Sequence, residues 1–197
     1  MRDEGVIKFH CQWKQAPPRN DPVFDELINV RNELHQRQWI GVYPDGIGYG
    51  NVSVRDPNGY FWITATQTGH LETISNEHLT CVTGYDLKRN RLECEGPLQA
   101  SSESLTHAMI YENFEESGAV IHIHHQAYWK RLLNQVPTTR REVPYGTPEM
   151  AQEILRLKQE GELASKKILV MAGHEDGIIA FGRDLGEAKN GLIYFCK

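Results

Sequence analysis

Hairpin signals in the middle of the chain constrain the fold more than any other sequence feature. Residues 51–55 alternate like a strand, residues 60–64 are rich in aromatic and β-branched side chains, and the turn sequence DPNG separates them. Residues 81–87 and 91–95 form a second possible hairpin. Strands joined by short turns pair antiparallel, so a doubly wound parallel sheet does not fit this chain.

Segments with helical periodicity alternate with these strands. The sequence Asn-Asp-Pro at 20–22 supplies a cap and a first-turn proline for a helix over about 22–38. A later helix can start with Ser101 as its cap and end near Gly118. The order of elements predicts an α/β fold in which helices cover a mixed, mostly antiparallel sheet. Further strands are predicted over 119–124, 168–172 and 178–181, and further helices over 127–134, over 147–161 and from about Leu185.

Charge and hydropathy argue against two classes of partner. Among 197 residues there are 26 acidic and 21 basic side chains, which gives a formal net charge of -5. A nucleic-acid binder driven by phosphate neutralisation is therefore not expected. The apolar stretches are far shorter than the ~20 residues that span a bilayer, and residues 1–5 do not open a signal peptide. We expect a soluble, cytoplasmic protein without nucleic-acid or membrane partners.

The chain has no internal repeat and no linker that would divide it. We therefore expect a single domain over residues 1–197, in which residues 1–20 form a loose N-terminal extension. The four cysteines lack Cys-x-x-Cys spacing and the density of a disulfide-stapled fold, so they are interpreted as reduced thiols.

The triplet His122-Ile123-His124 carries the strongest chemical signal. Residues two apart on a strand point to the same face, so both imidazoles can reach one metal ion while Ile121 and Ile123 point into a core. A zinc site needs at least three protein ligands, so a pair of surface histidines is the alternative interpretation.

His174 is the natural third ligand. It follows an apolar strand and lies in a tight loop between Gly173 and Gly177. Three neutral histidines leave one coordination position open, which is typical of catalytic rather than structural zinc. The alternative is that His174, Glu175 and Asp176 are ordinary turn residues.

A further group of candidates could hold an anion such as phosphate. Hydroxyls and free backbone N–H groups at a helix start bind anions, and short polar donors in turns can add to them. Glu103 would lie beside the anion. The alternative is a plain helix cap with ordinary turn chemistry. The candidates are Ser101 and Ser102 at the helix start, and Asn51, Thr68 and Gly69 in the turns.

Five motifs follow one another along the chain. They are GNVSVR at 50–55, ITATQTG at 63–69, Ser101-Ser102-Glu103 with His107, His122-Ile123-His124, and His174 followed by Asp176-Gly177. Each motif is weak alone, but in this order they resemble the class II aldolase/adducin family over roughly residues 24–190. The resemblance implies a three-layer α/β/α fold and a homotetramer with its sites at subunit interfaces.

The resemblance also implies a role for each candidate residue. His122, His124 and His174 would bind one zinc or other divalent transition ion per chain, and Glu103 would be the catalytic acid/base. The implied reaction is the retro-aldol cleavage of a small phosphorylated ketose, in which the metal stabilises an enediolate. Glutamate at this position favours the aldolases over the epimerases of the family. The residues implied to bind the substrate phosphate are Asn51, Thr68, Gly69, Ser101 and Ser102.

Alternative functions remain open at this point. A methylthioribulose-phosphate dehydratase shares the paired histidines, but the short segment between His124 and Thr147 counts against it. A sugar-phosphate epimerase is a second alternative. A non-catalytic module like the adducin head would have lost its ligands, whereas this chain keeps three histidines and Glu103. The family takes a catalytic tyrosine from a neighbouring subunit, and Tyr145 lies near the corresponding segment.

Overall fold

The computed structural model describes residues 6–197, and the predictions for residues 1–5 lie outside this range. The helices are α1 (Val23–Gln36), α2 (Ser104–Asn113), α3 (Gln126–Leu132), α4 (Pro148–Gln159), α5 (Glu162–Lys166) and α6 (Leu185–Phe195). The strands are β1 (His10–Gln15), β2 (Gly41–Val42), β3 (Gly48–Tyr49), β4 (Asn51–Arg55), β5 (Phe61–Thr64), β6 (Leu79–Asp86), β7 (Arg91–Gly96), β8 (Ala119–His124), β9 (Ile168–Val170) and β10 (Gly177–Gly182). None of the helices in this range has the length and apolar character needed to cross a membrane.

Eight strands form one sheet, in the order β1-β7-β6-β5-β4-β8-β10-β9. β1 runs parallel to β7, and the other neighbouring strands of this sheet pair antiparallel. Both predicted hairpins are present, as β4–β5 with Val54 opposite Trp62 and as β6–β7 with Val82 opposite Cys94. The predicted mixed, mostly antiparallel sheet is confirmed.

Helices cover both faces of this sheet, which gives the three layers of an α/β/α sandwich. Successive side chains of a strand point to opposite faces. On β8, Ile121 and Ile123 pack in a cluster that contains the apolar residues of α1 and α6, whereas Val120 packs in the cluster of α2 and α4. The same alternation places His122 and His124 on the face covered by α2 and α4. One strand therefore supports the core on one side and carries the candidate ligands on the other.

The N-terminal segment differs from the prediction. The sequence predicts a loose extension over residues 1–20, but His10–Gln15 form β1, and the Trp13 indole donates a hydrogen bond of 3.0 Å to the Gly96 carbonyl. Five of the six residues of β1 are exposed because the strand lies at the edge of the sheet. An exposed edge strand needs no alternation of apolar residues, so the sequence pattern carries no strand signal.

The helix predicted from Ser101 to near Gly118 is shorter at both ends. Residues 101–103 form a turn, in which the Ser104 N–H donates to the Ser101 carbonyl at 3.0 Å and the Glu103 N–H donates to Ser101 Oγ at 3.3 Å. At the other end, Phe114 leaves helical geometry with φ of -128°. The candidate anion-binding hydroxyls therefore lie in the turn before α2 and not in its first helical turn.

Three short elements are additions to the predicted pattern. The segment 42–50, expected to be a loop, contributes residues to β2 and β3, which pair as a small antiparallel ribbon. α5 follows Gly161, which has a φ of +90° that favours glycine. All three elements are too short to show a hydrophobic period in the sequence.

Candidate active site

The three predicted metal ligands meet at one point of the molecule. His122 and His124 lie at the end of β8, and His174 lies in the loop between β9 and β10. β10 pairs antiparallel with β8, with Gly177 opposite His124, and this register brings the loop to the end of β8. The candidate ligand atoms of the three buried histidines all lie within 4.8 Å of one another.

Gly177 leaves the space that this cluster needs. A Cβ atom at this position would lie 2.7 Å from His174 Cδ2 and 3.2 Å from His122 Nε2. Any side chain would therefore displace at least one imidazole ring. The absence of a side chain at Gly177 therefore lets the rings of His174 and His122 pack closely beside it.

Burial keeps His122 and His174 in the form that binds metal. Desolvation lowers the pKa of His122 to about 3. It also lowers the pKa of His174 well below its usual range, and the nearby His122 and Lys8 lower it further. Both imidazoles are therefore neutral at pH 7, and the neutral ring is the species that coordinates a metal ion.

The chemistry of the cluster fits a divalent transition ion. Both ring nitrogens of His122 are buried, and neither makes a hydrogen bond to a described residue. Leaving a buried polar group unsatisfied costs about 1–3 kcal/mol, a cost that a coordinated ion would remove. His124 Nδ1 lies 2.9 Å from the Tyr43 hydroxyl. This contact fixes the orientation of the ring, as hydrogen-bond partners of metal-binding histidines commonly do.

Glu103 lies beside the cluster. Its Oε1 atom is 3.5 Å from His174 Nε2, and only 1% of the residue is exposed. A carboxylate in this position can exchange a proton with a molecule bound beside both it and the histidines. The turn that precedes α2 carries Glu103 to this place.

The five candidate anion-binding residues line a cavity of about 330 Å³. The Asn51 side-chain amide donates a hydrogen bond of 3.1 Å to Ser101 Oγ, which joins the β4 side of the cavity to the turn before α2. Asn51 is also the register partner of His122 in the sheet, so the cavity and the histidine cluster are neighbours. No lysine or arginine is among the described residues that line this cavity. The candidates among its lining residues are Asn51, Thr68, Gly69, Ser101 and Ser102.

Sequence reasoning missed the contacts of three residues that support the site. Tyr43 contacts His124 as described above. The sequence points to Tyr145 only through its place in the chain; its ring centroid lies 4.4 Å from that of His174, and its hydroxyl bonds to the backbone of Val6. Arg31 is buried beneath the loop that carries Thr68. These contacts join distant parts of the chain, so no local spacing could reveal them.

His107 and Tyr111 lie four residues apart on α2, a spacing that lets them either line the site or pack. Ser53 Oγ lies 2.7 Å from His107 Nδ1 and 2.7 Å from the Tyr111 hydroxyl, and all three side chains are buried. Neither His107 nor Tyr111 lines the cavity. The three residues form a hydrogen-bonded link between β4 and α2, beneath the site.

Comparisons with known proteins give one family match. The model of the Class II Aldolase and Adducin N-terminal domain matches residues 25–196. No curated protein matches the sequence significantly.

Several solved structures share the fold. An L-fuculose 1-phosphate aldolase is 23% identical, with a TM-score of 0.66 over 90% of this chain and 84% of the other. The L-fuculose-1-phosphate aldolase from Thermus thermophilus is 21% identical, with a TM-score of 0.59 over 88% and 86%. A sugar-phosphate aldolase from Thermotoga maritima is 18% identical, with a TM-score of 0.65 over 88% and 90%. At these identities the likeness is one of fold.

Proposed function

Because the chain belongs to the Class II Aldolase and Adducin N-terminal domain family, we propose that it is a metal-dependent aldolase. Its substrate would be a small phosphorylated ketose, cleaved by a retro-aldol step. The observation that carries the proposal is the arrangement of three groups: a buried histidine cluster, a carboxylate 3.5 Å from it, and a polar cavity joined to it through the register of β4 and β8. L-Fuculose 1-phosphate is the first compound to test, since two of the solved structures with this fold are aldolases named for it.

His122, His124 and His174 would hold the metal, one zinc or other divalent transition ion per chain. Such an ion acts as a Lewis acid for the negative charge that develops on the ketose oxygens during cleavage. Three imidazoles accept several divalent ions, so availability decides which one is bound.

Glu103 would exchange the proton at the carbon. In a retro-aldol step, the hydroxyl next to the scissile bond loses its proton, the carbon–carbon bond breaks, and the remaining carbanion takes up a proton. Burial of Glu103 excludes water from this exchange. The five cavity residues would bind the substrate phosphate through neutral donors: hydroxyls, an amide and backbone N–H groups.

Metal content tests the ligand set. Elemental analysis of the wild type should give close to one divalent ion per chain, and His122→Ala, His124→Ala and His174→Ala should each lose it. His10→Ala is the matched control, because His10 is exposed on β1 and outside the cluster. A folded wild type that takes up no ion from zinc, manganese or cobalt solutions would reject the metal centre and favour a non-catalytic module.

Turnover tests the role of Glu103. Glu103→Gln should keep the fold and the metal but lower aldehyde release from ketose phosphates by about 100-fold or more, the usual scale for a general acid/base. Unchanged turnover in this variant would remove Glu103 from the mechanism. Release of an epimer or a dehydrated product in place of an aldehyde would replace the aldolase assignment.

A further inference from the structure

A buried arginine lies behind the loop that carries Thr68 and Gly69. Arg31 extends from α1 and is 1% exposed. Its guanidinium donates hydrogen bonds to the carbonyl of Thr68 at 2.7 Å and to that of Leu71 at 2.5 Å. Longer contacts reach the carbonyls of Gly69 and Glu72, at 3.5 and 3.4 Å. One side chain thus contacts four backbone carbonyls of this loop from the inside.

The positive charge of Arg31 is not balanced by a hydrogen-bonded carboxylate of the described chain. All its hydrogen-bond acceptors there are neutral: four backbone carbonyls and the side-chain amide of Asn32. Burial lowers the pKa of Arg31 to about 10, which leaves the guanidinium charged at pH 7. A buried cation that lacks a carboxylate is costly unless something else supplies negative charge nearby.

The orientation of the loop peptides follows from these contacts. In a trans peptide, the carbonyl and the N–H point in opposite directions. The Thr68 carbonyl faces Arg31, so the N–H of Gly69, in the same peptide, faces away from it. Gly69 lines the cavity, and its N–H makes no hydrogen bond to another described residue. A side chain does not fit at this position, since a Cβ would lie 2.1 Å from the Gly41 carbonyl oxygen.

We propose that Arg31 is the positioning residue of this cavity and the buried counter-charge for the phosphate bound there. It holds the Thr68–Gly69 peptide with its N–H towards the anion, and its charge offsets that of the phosphate from behind the loop. This explains how a cavity whose described lining residues are all neutral can hold a dianion. The inference rests on the phosphate subsite of the proposed function.

Calorimetric titration of the purified protein with inorganic phosphate tests the proposal. Arg31→Met should raise the phosphate Kd by about tenfold or more, the scale of one lost charge-assisted interaction. Arg31→Lys keeps the charge but loses the fork of donors, so it should recover part of the affinity. With a ketose phosphate as substrate, Arg31→Met should raise KM more than it lowers kcat. A Kd within about twofold of the wild type in Arg31→Met would overturn the proposal.

Arg55→Met is the matched control. Arg55 is a partly buried arginine that also donates to a backbone carbonyl, that of Tyr111, but it does not line or support the cavity. Its loss should lower stability and leave the phosphate Kd unchanged. An equal loss of affinity in both variants would mean that Arg31 acts only through general stability, and would overturn the proposal.

A measurement on the unaltered protein covers the case in which Arg31→Met does not fold. The amide resonance of Gly69 in an ¹⁵N–¹H spectrum should shift on saturation with phosphate, and an unchanged resonance would overturn the proposal.

The results for phosphate binding and for ketose-phosphate cleavage can be told apart. Phosphate affinity that depends on Arg31, without cleavage of any ketose phosphate, rejects the aldolase but keeps the role of Arg31. Cleavage with a Kd that does not depend on Arg31 rejects the role of Arg31 alone.

Discussion

Gly177 packs so closely against the histidine cluster that it leaves no room for a side chain. Gly177→Ala should lower the affinity for zinc by about tenfold or more, because the added Cβ would displace His174 or His122 from the common point. Competition with a chromophoric zinc chelator measures this change. The thermal unfolding of the metal-free protein should change much less than the affinity.

Gly191→Ala is the control for this substitution. Gly191 lies in α6, and a Cβ there would meet no atom within 4 Å. Alanine should stabilise the helix by about 0.5–1 kcal/mol without any effect on zinc binding. Equal zinc affinity in the two variants would show that Gly177 is not needed for the shape of the cluster.

Single elements differ in how well the sequence predicts them, and the difference follows from burial. β8 is buried on both faces, but only one face carries histidines, so the alternation of isoleucine and histidine is visible directly in the sequence. The hairpin β4–β5 is equally visible because its turn residues have strong local preferences. β1 is exposed and lies at the sheet edge, and its strand conformation comes from pairing with β7, which local sequence does not encode.

The contribution of a helix cap to stability can be tested at the N-terminus of α6. Asp184 Oδ1 accepts a hydrogen bond of 2.7 Å from the Glu187 N–H, as a capping side chain does. Asp184→Ala should lower the free energy of unfolding by about 1 kcal/mol, measured by urea denaturation. Asp184→Asn keeps the acceptor and should differ from the wild type by only a few tenths of a kcal/mol. If both variants unfold at the same urea concentration, the cap does not stabilise α6.

At the scale of the whole molecule, the site was predictable only in part. His122 and His124 are two residues apart, so their common face follows from strand geometry alone. His174 and Glu103 could be named as candidates, but their 3.5 Å approach depends on the packing of β10 and α2 against β8. Arg31 was not predictable, because its role depends on contacts with Thr68, 37 residues away, and in the sequence it is one polar residue of a helix.

The assembly of the molecule remains a prediction. The resemblance to class II aldolases implies a homotetramer, and the exposed rings of Trp13 and Tyr194 provide apolar surface that subunit contacts could cover. Light scattering coupled to gel filtration should give a mass near four times the 22.5 kDa of the chain, at several protein concentrations. A mass of 22.5 kDa at all concentrations would contradict the prediction and require a site complete within one chain.

The two faces of β8 have a consequence for how this gene can change. Ile121 and Ile123 belong to the core, and His122 and His124 to the candidate metal centre, so both depend on one register. Insertion or deletion of a single codon within the strand would exchange the two sets from that point onwards. Histidines would then enter the apolar layer while isoleucines faced the site. Nucleotide substitutions can alter one face at a time, whereas a one-residue change in the length of this strand would remove both the core and the chemistry in one event.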